Sequence, residues 1–413
     1  MRILIYAMGS AGDVHPFVGV GKALQARGHE VILLSSAFFG KMVKRAGLEF
    51  RAIASLEDYE RIEADPDIWH PRRALASIIR NAADPSYEVI LESARDLNRP
   101  GDTIILASSL AWGALSVREL LGIPVVTVHL APSLFVSSFR QPVMAGAPVG
   151  QNAPRFMKEI QWWFAGKIVD RLALPGLNRF RKAHGLPPTR GVMRGWHSPD
   201  RVIGLFPDWF GPPQPDWPAQ TRLTGFPLFD EKGLHELPAD LDHFLDDGDP
   251  PVVFTPGSAM DRGHEFFGEA VKALKILGKR GILLSRFSKT IPADLPPGVR
   301  HFSYLPFSDV LPRAAALGYH GGIGTCAQTL QAGIPHLVQP MAHDQLDTLS
   351  RVRDLGVGDG LLPKHFKAKR IAAVLDRLLH DPGVKERATG ISERFDPAGW
   401  MAETCALVEE IKP

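Results

Sequence analysis

Gly318-Tyr319-His320-Gly321-Gly322-Ile323-Gly324-Thr325 is the stretch on which the reading of this chain turns. It follows an apolar run predicted as a strand over Ala314 to Leu317. It leads into Cys326-Ala327-Gln328-Thr329-Leu330-Gln331-Ala332-Gly333, which reads as a helix with a glycine stop. A glycine-rich turn between strand and helix gathers bare backbone N–H groups and the positive end of the helix dipole at one point, a site for phosphate. His320, just ahead of the turn, adds a hydrogen bond or a charge to the same anion. The spacing fits neither the P-loop, which needs a Lys after its second Gly, nor the GxGxxG dinucleotide fingerprint. The turn alone says that an anion binds.

Around this turn lies a chain of 413 residues, long enough for two domains of about 200 residues each. Hydrophobic residues make up 45% and charged residues 22%, a globular composition, and a net charge of +2 implies no polyanion partner such as nucleic acid. Two cysteines, Cys326 and Cys405, cannot build a disulfide framework, and no zinc spacing is present. The opening Met-Arg-Ile-Leu-Ile-Tyr-Ala-Met-Gly is too short an apolar run for a signal peptide, so a cytoplasmic protein is expected.

Strand, glycine turn, helix recurs along the chain, the pattern of a parallel α/β fold. Ile3 to Met8 reads as a buried strand ending at Gly9-Ser10-Ala11-Gly12-Asp13-Val14-His15-Pro16, with a helix predicted to begin at or just after Pro16 and to close at Gly28. Further strands are predicted over Val31 to Leu34, Thr103 to Ala107, Val125 to His129, Val252 to Thr255, Ile282 to Leu284, Arg300 to Ser303 and His336 to Gln339. Asp13 places a carboxylate at the C-terminal end of the first strand, where open parallel sheets hold their ligands. From Phe156 to Leu172, large apolar residues recur every three or four positions and make one helix face. That face reads as a core stripe, or as an acceptor-pocket wall or membrane-touching surface using Trp162, Trp163 and Phe164. Five prolines between Pro207 and Pro218 mark a stiff segment, read as the interdomain linker.

Together, GSAGDVHPF (9–17), HSPDRVIGLFPDWFGPPQPDWP (197–218), TGFPLFD (224–230), VVFTPGS (252–258) and HGGIGT through AHDQ (320–345) carry a family resemblance. The chain resembles the nucleotide-sugar glycosyltransferases of the GT-B fold, and within them the rhamnosyltransferase branch typified by the enzymes of rhamnolipid biosynthesis. This implies an α/β protein of two facing Rossmann-like domains with a cleft between them. The implied division is an acceptor-binding domain over 1–211, a linker over 212–221, a nucleotide-sugar-binding domain over 222–395, and a C-terminal helix over 396–413 packing back on the first domain.

The resemblance also implies roles. Asp13 matches the catalytic base, with Ser10 and Gly12 beside it on the donor. His320 with the N–H groups of Gly322, Gly324 and Thr325 would hold the donor phosphate, and Ser258 the pyrophosphate. Tyr304 and Leu305 fall in the base-binding loop, and Asp344-Gln345 match the pair that grips sugar hydroxyls. Phe135 and Trp163 are candidates for the acceptor wall. Many relatives carry His where this chain has Asp13; were the segment helical, His15 would diverge from position 13 by about 200°, and Asp13 is the preferred base. The implied reaction is an inverting transfer of a hexose, preferably L-rhamnose from dTDP-rhamnose, to a hydroxyl of a lipophilic acceptor such as a hydroxy-fatty acid or polyphenol. No metal or other cofactor is expected, since the helix N-terminus meets the diphosphate charge. UDP-glucose transfer to a sterol, carotenoid or flavonoid is the alternative. Nucleotide-sugar epimerases, which also pair two such domains, are a further class. No nucleic-acid partner is expected, and weak association with a membrane surface is open.

Overall fold

Ile3-Leu4-Ile5 and the residues on either side form a strand buried on both faces, which only a parallel sheet covered by helices provides. The computed structural model describes residues 1–70, 73–234, 236–257 and 263–413. The strands of its first sheet are β1 (Arg2–Tyr6), β2 (Glu30–Ser36), β3 (Glu49–Ala54), β4 (Thr103–Ser108), β5 (Val125–His129), β6 (Arg201–Gly204) and β7 (Thr221–Leu223). They lie in the order β3-β2-β1-β4-β5-β6-β7, every pair parallel. A second parallel sheet holds β8 (Val252–Thr255), β9 (Gly281–Leu284), β10 (Val299–Phe302), β11 (Ala316–Tyr319), β12 (His336–Val338) and β13 (Gly358–Gly360), in the order β10-β9-β8-β11-β12-β13. In each sheet the order reverses once, between β1 and β4 and between β8 and β11. Parallel sheets bind ligands outside the C-terminal ends of their strands at such a reversal.

Two compact units result: Met1–Pro227 with Asp396–Pro413, and Leu228–Phe395. The proline-rich segment is therefore not the linker. Asp216 accepts from the backbone N–H and hydroxyl of Ser138, Trp217 stacks on Phe135, and Thr221–Leu223 pairs with β6. Prolines made this segment stiff, but its aromatic and acidic side chains fasten it to the first sheet, and the division falls after Pro227.

The last helix, Pro397–Glu409, belongs to the first unit. Glu409 accepts from Arg27 and pairs with His29, and Thr404 bonds Thr224. A Cβ at Gly225 would lie 1.9 Å from the Trp400 ring. Gly225→Ala is therefore expected to lower stability by about 1–3 kcal/mol, as overpacking does. A fall in the urea midpoint at unchanged slope checks it.

Two helices differ from expectation. The first begins at Ala11 and carries Pro16 inside it. Proline there has no N–H to give the carbonyl four residues back, a defect the exposed first turn tolerates because Gly12 can be solvated. Residues 13 and 15 are thus both helical and point apart. The helix Arg155–Ala183 does not use its apolar stripe as core. Its buried residues are Lys158, Ala173, Leu177, Phe180 and Arg181, while Phe156, Trp163 and Ile168 are 61%, 58% and 63% exposed. The reason is that its first turns rest on the loop 139–149 through polar side chains. Lys158 donates to the Phe139 carbonyl, Gln161 donates to Gln141, and Val149 N–H donates to Gln161.

Candidate active site

At the reversal of the second sheet, β8 runs into Pro256-Gly257 and β11 into His320-Gly321-Gly322. Gly257 and Gly321 both have φ of +99°, a conformation that glycine alone adopts without strain. A Cβ on Gly257 would fall 2.8 Å from His320 Cε1, and one on Gly322 2.5 Å from His320 Nε2. The two bare backbones therefore close around the imidazole from both sides. Nδ1 of His320 is buried and, among the described residues, has no hydrogen-bond partner. Burial, with the nearby His343, lowers its pKa to about 4. His320 is thus neutral at pH 7 and offers a hydrogen bond rather than the charge that sequence alone left open.

Beside it starts the helix Ile323–Ala332, with Gly322 as N-cap and no side chain capping it. Gly324 and Thr325 occupy its first turn, half-buried, so the N–H groups that have no partner inside the helix point at the same place as His320. An anion fits there by position and by dipole. Underneath, Tyr319 and Cys326 are buried; burial pushes the Cys326 thiol up to about 12, so it stays protonated.

Other expected residues of this unit are more mixed. Ser258 lies outside the described residues. Leu305 is buried, and the Tyr304 hydroxyl donates to the Asp230 carbonyl, which holds the loop after β10. Asp344 is the N-cap residue of the helix Gln345–Asp354, half-buried. Gln345 is a correction in part. It is buried, and its side-chain carbonyl accepts from Met341 N–H and Ala342 N–H at 2.6 and 3.0 Å. That half of the amide shapes the loop and is not available to a sugar hydroxyl. His343, with φ of +57°, sits in this loop and had no mark in the sequence.

At the reversal of the first sheet, the chain leaves β1 through Gly9, whose φ is +128°. A Cβ there would fall 2.4 Å from Asp13 Oδ2, so only glycine lets the carboxylate fold back over the turn. Ser10 is the N-cap, and both its N–H and its hydroxyl donate to Asp13 Oδ2, at 2.8 and 2.9 Å. Asp13 thereby ties down the helix start, and both of these bonds fall on one oxygen. Burial raises its pKa above the ordinary carboxylate value against the lowering effect of Ser10. Gly12 is exposed on the first turn, so the approach to the carboxylate carries no side chain from that position.

The acceptor candidates separate. Phe135 is 1% exposed and stacks on Trp217 and His197. It is core, and the aromatic residues around it leave no wall for a ligand. Trp163 is exposed on the helix Arg155–Ala183. Gly9 reads from the sequence as tight-turn geometry, which its φ of +128° bears out, whereas Gly257 carries no reading of its own there. Glycines after strands were the available signal, but which ring or carboxylate each one admits depends on the fold.

Comparisons with known proteins give the family and the fold. Residues 3–138 match the glycosyltransferase family 28 N-terminal domain, and residues 282–399 match the erythromycin biosynthesis protein CIII-like C-terminal domain. O-mycaminosyltylonolide 6-deoxyallosyltransferase of Streptomyces fradiae is 30% identical over 428 residues, covering 99% of this chain and 97% of that protein. A sterol 3-beta-glucosyltransferase of Candida albicans is 26% identical over 95% of this chain, which spans 26% of that longer protein. Among solved structures, the kitacinnamycin glycotransferase superposes with a TM-score of 0.76 at 20% identity, covering 100% and 99% of the two chains. The spinosyn rhamnosyltransferase SpnG complexed with thymidine diphosphate superposes at 0.69 and 19% identity, covering 99% of each.

Proposed function

The chain belongs to the GT-B glycosyltransferase superfamily, as a hexosyltransferase with a family 28-type N-terminal and an erythromycin CIII-like C-terminal domain, and from that premise we propose that it moves L-rhamnose from dTDP-rhamnose, with inversion, to a hydroxyl of a small lipophilic acceptor. The observation that carries the donor half is the half-buried imidazole of His320, flanked by bare glycines, beside an uncapped helix N-terminus at the reversal of the second sheet. A diphosphate supplies acceptors to the first-turn N–H groups and to the imidazole. A 6-deoxy sugar is favoured by a relative named for transferring a 6-deoxyallosyl group, and rhamnose with thymidine by a fold neighbour named for both. UDP-glucose and a sterol are the second reading, favoured by the sterol glucosyltransferase match along 95% of the chain.

In the proposed reaction the acceptor hydroxyl attacks the anomeric carbon opposite the leaving diphosphate, through an oxocarbenium-like transition state. Asp13 receives the hydroxyl proton late, once bond formation has made it acidic; its raised pKa suits it to the task. The bond to the diphosphate breaks with its electron pair on the leaving oxygen. Charge grows there, so the helix N-terminus and His320 stabilise the transition state more than the bound donor.

His320→Ala is expected to cost about 1.5–3 kcal/mol of nucleoside diphosphate binding, roughly ten- to a hundredfold in Kd, the range for a hydrogen bond to a charged group. Calorimetry with dTDP checks it, and unchanged affinity would remove His320 from the phosphate site. Turnover with dTDP-rhamnose, UDP-glucose and dTDP-glucose, each against a hydroxy-fatty acid, a polyphenol and a sterol, tests the proposed reaction. Transfer confined to UDP-glucose would overturn the rhamnose assignment.

A further inference from the structure

The helix Arg155–Ala183 is built inside out over its first half. Its polar side chains Lys158 and Gln161 turn inward to the loop, while Phe156, Met157, Ile160, Trp163, Phe164 and Ile168 stand in solvent, each more than 40% exposed. At about 100° per residue, these six fall within an arc of roughly 140° on one face. Single exposed apolar residues need no explanation, but a contiguous stripe of six does.

Charge on this region has a sign. Residues 136–172 hold five cations, Arg140, Arg155, Lys158, Lys167 and Arg171, against two carboxylates, in a chain whose total is +2. Glu159 pairs with Arg155, Asp170 accepts from Val192 N–H, and Lys158 is buried against the Phe139 carbonyl, so the exposed charge on the stripe is that of Lys167 and Arg171. Lys167 lies over the Trp163 ring at 5.6 Å, and Arg171, one turn further on, is exposed. Their angular positions fall within the apolar arc. Apolar and aromatic side chains interleaved with lysine and arginine are the composition of a helix lying in the interface of an anionic bilayer.

We propose that this face docks on an anionic phospholipid surface, with the helix lying in the headgroup plane. No helix among the described residues is long and apolar enough to cross a membrane. The proposal rests on this surface and not on the identity of donor or acceptor.

Flotation of the full chain with phosphatidylglycerol–phosphatidylcholine vesicles tests it against pure phosphatidylcholine vesicles. Partitioning is expected to be roughly tenfold stronger on the anionic vesicles, at about a few-fold per cation, and to weaken with salt. Ile160→Ser with Phe164→Ser should abolish binding. Lys167→Gln with Arg171→Gln should remove the anionic preference. Both pairs change exposed residues only, so circular dichroism and the thermal midpoint should match the parent. Equal partitioning on both vesicle types, no binding to either, or unchanged binding by the serine pair would each overturn the proposal. So would a dimer of the parent that the serine pair dissociates.

Discussion

Asp13→Asn is expected to lower turnover by about 10²- to 10⁴-fold, the usual worth of a positioned general base, with nucleoside diphosphate affinity nearly unchanged. The amide oxygen of Asn can still accept from Ser10 N–H and Ser10 Oγ, so the helix start that Asp13 now secures is retained. What is lost is the basicity needed to take a proton. Because burial raises the Asp13 pKa, the acidic limb of the parent pH–rate profile should lie above the ordinary carboxylate range. Activity falls as pH drops through that raised value, since only the ionised form accepts a proton. Turnover at about 1 mM donor and acceptor, with dTDP affinity by calorimetry, checks both halves, those concentrations being at the upper end of common KM values. Near-normal turnover in Asp13→Asn would take the base away from this residue.

Much of this was legible because parallel α/β folds write themselves in apolar runs and post-strand glycines. Val125–His129 and Val252–Thr255 could be read to the residue, since each is a continuous buried run. Thr221–Leu223 and Gly358–Gly360 could not, because neither has an apolar run. They are strands because a neighbour presents an open row of backbone groups to pair with. The anion turn was legible from spacing alone, whereas Gly257 needed the imidazole beside it to acquire meaning. Periodicity over 156–172 gave a helix face and left its direction open between core and surface; the face lies on the surface. Period says which residues share a side, and what lies on that side is decided by contacts elsewhere in the chain. The prolines misled for a similar reason: stiffness marks a segment that cannot enter a sheet interior, and says nothing of whether its side chains are anchored.

Acidification is expected to unfold the protein well above the pH at which its carboxylates titrate, and the cause is a set of buried histidines, two of them paired with no room for a further proton. His129 and His336 are 0% exposed, and His129 Nε2 lies 3.0 Å from His197 Nδ1. Trp196 Nε1, which can only donate, bonds His197 Nε2. His197 must therefore carry its proton on Nδ1 and donate it to His129 Nε2. That leaves the His129 proton on Nδ1, which is buried without a partner. Every ring nitrogen of the pair is then assigned, and protonating either ring would set two donors against each other. Burial correspondingly holds His129 well below its usual value, His197 at about 4 and His336 at about 3. Each folded pKa lies below the unfolded value near 6.5, so below that pH the unfolded chain binds more protons and stability falls. Each histidine removes roughly 1.4 kcal/mol per pH unit, so these three and His320, also held at about 4, together remove about 5–6 kcal/mol per unit between pH 6.5 and the folded values. Glu409, held at about 2 by Arg27 and His29, loses its pairing only at lower pH, so the histidines act first. Against a total stability of about 5–15 kcal/mol, this should lower the thermal midpoint steeply between pH 6.5 and 5. His336→Asn should flatten that slope by about a quarter, its own share of the four. A midpoint that does not change with pH over this range would show that the buried imidazoles take up protons without unfolding.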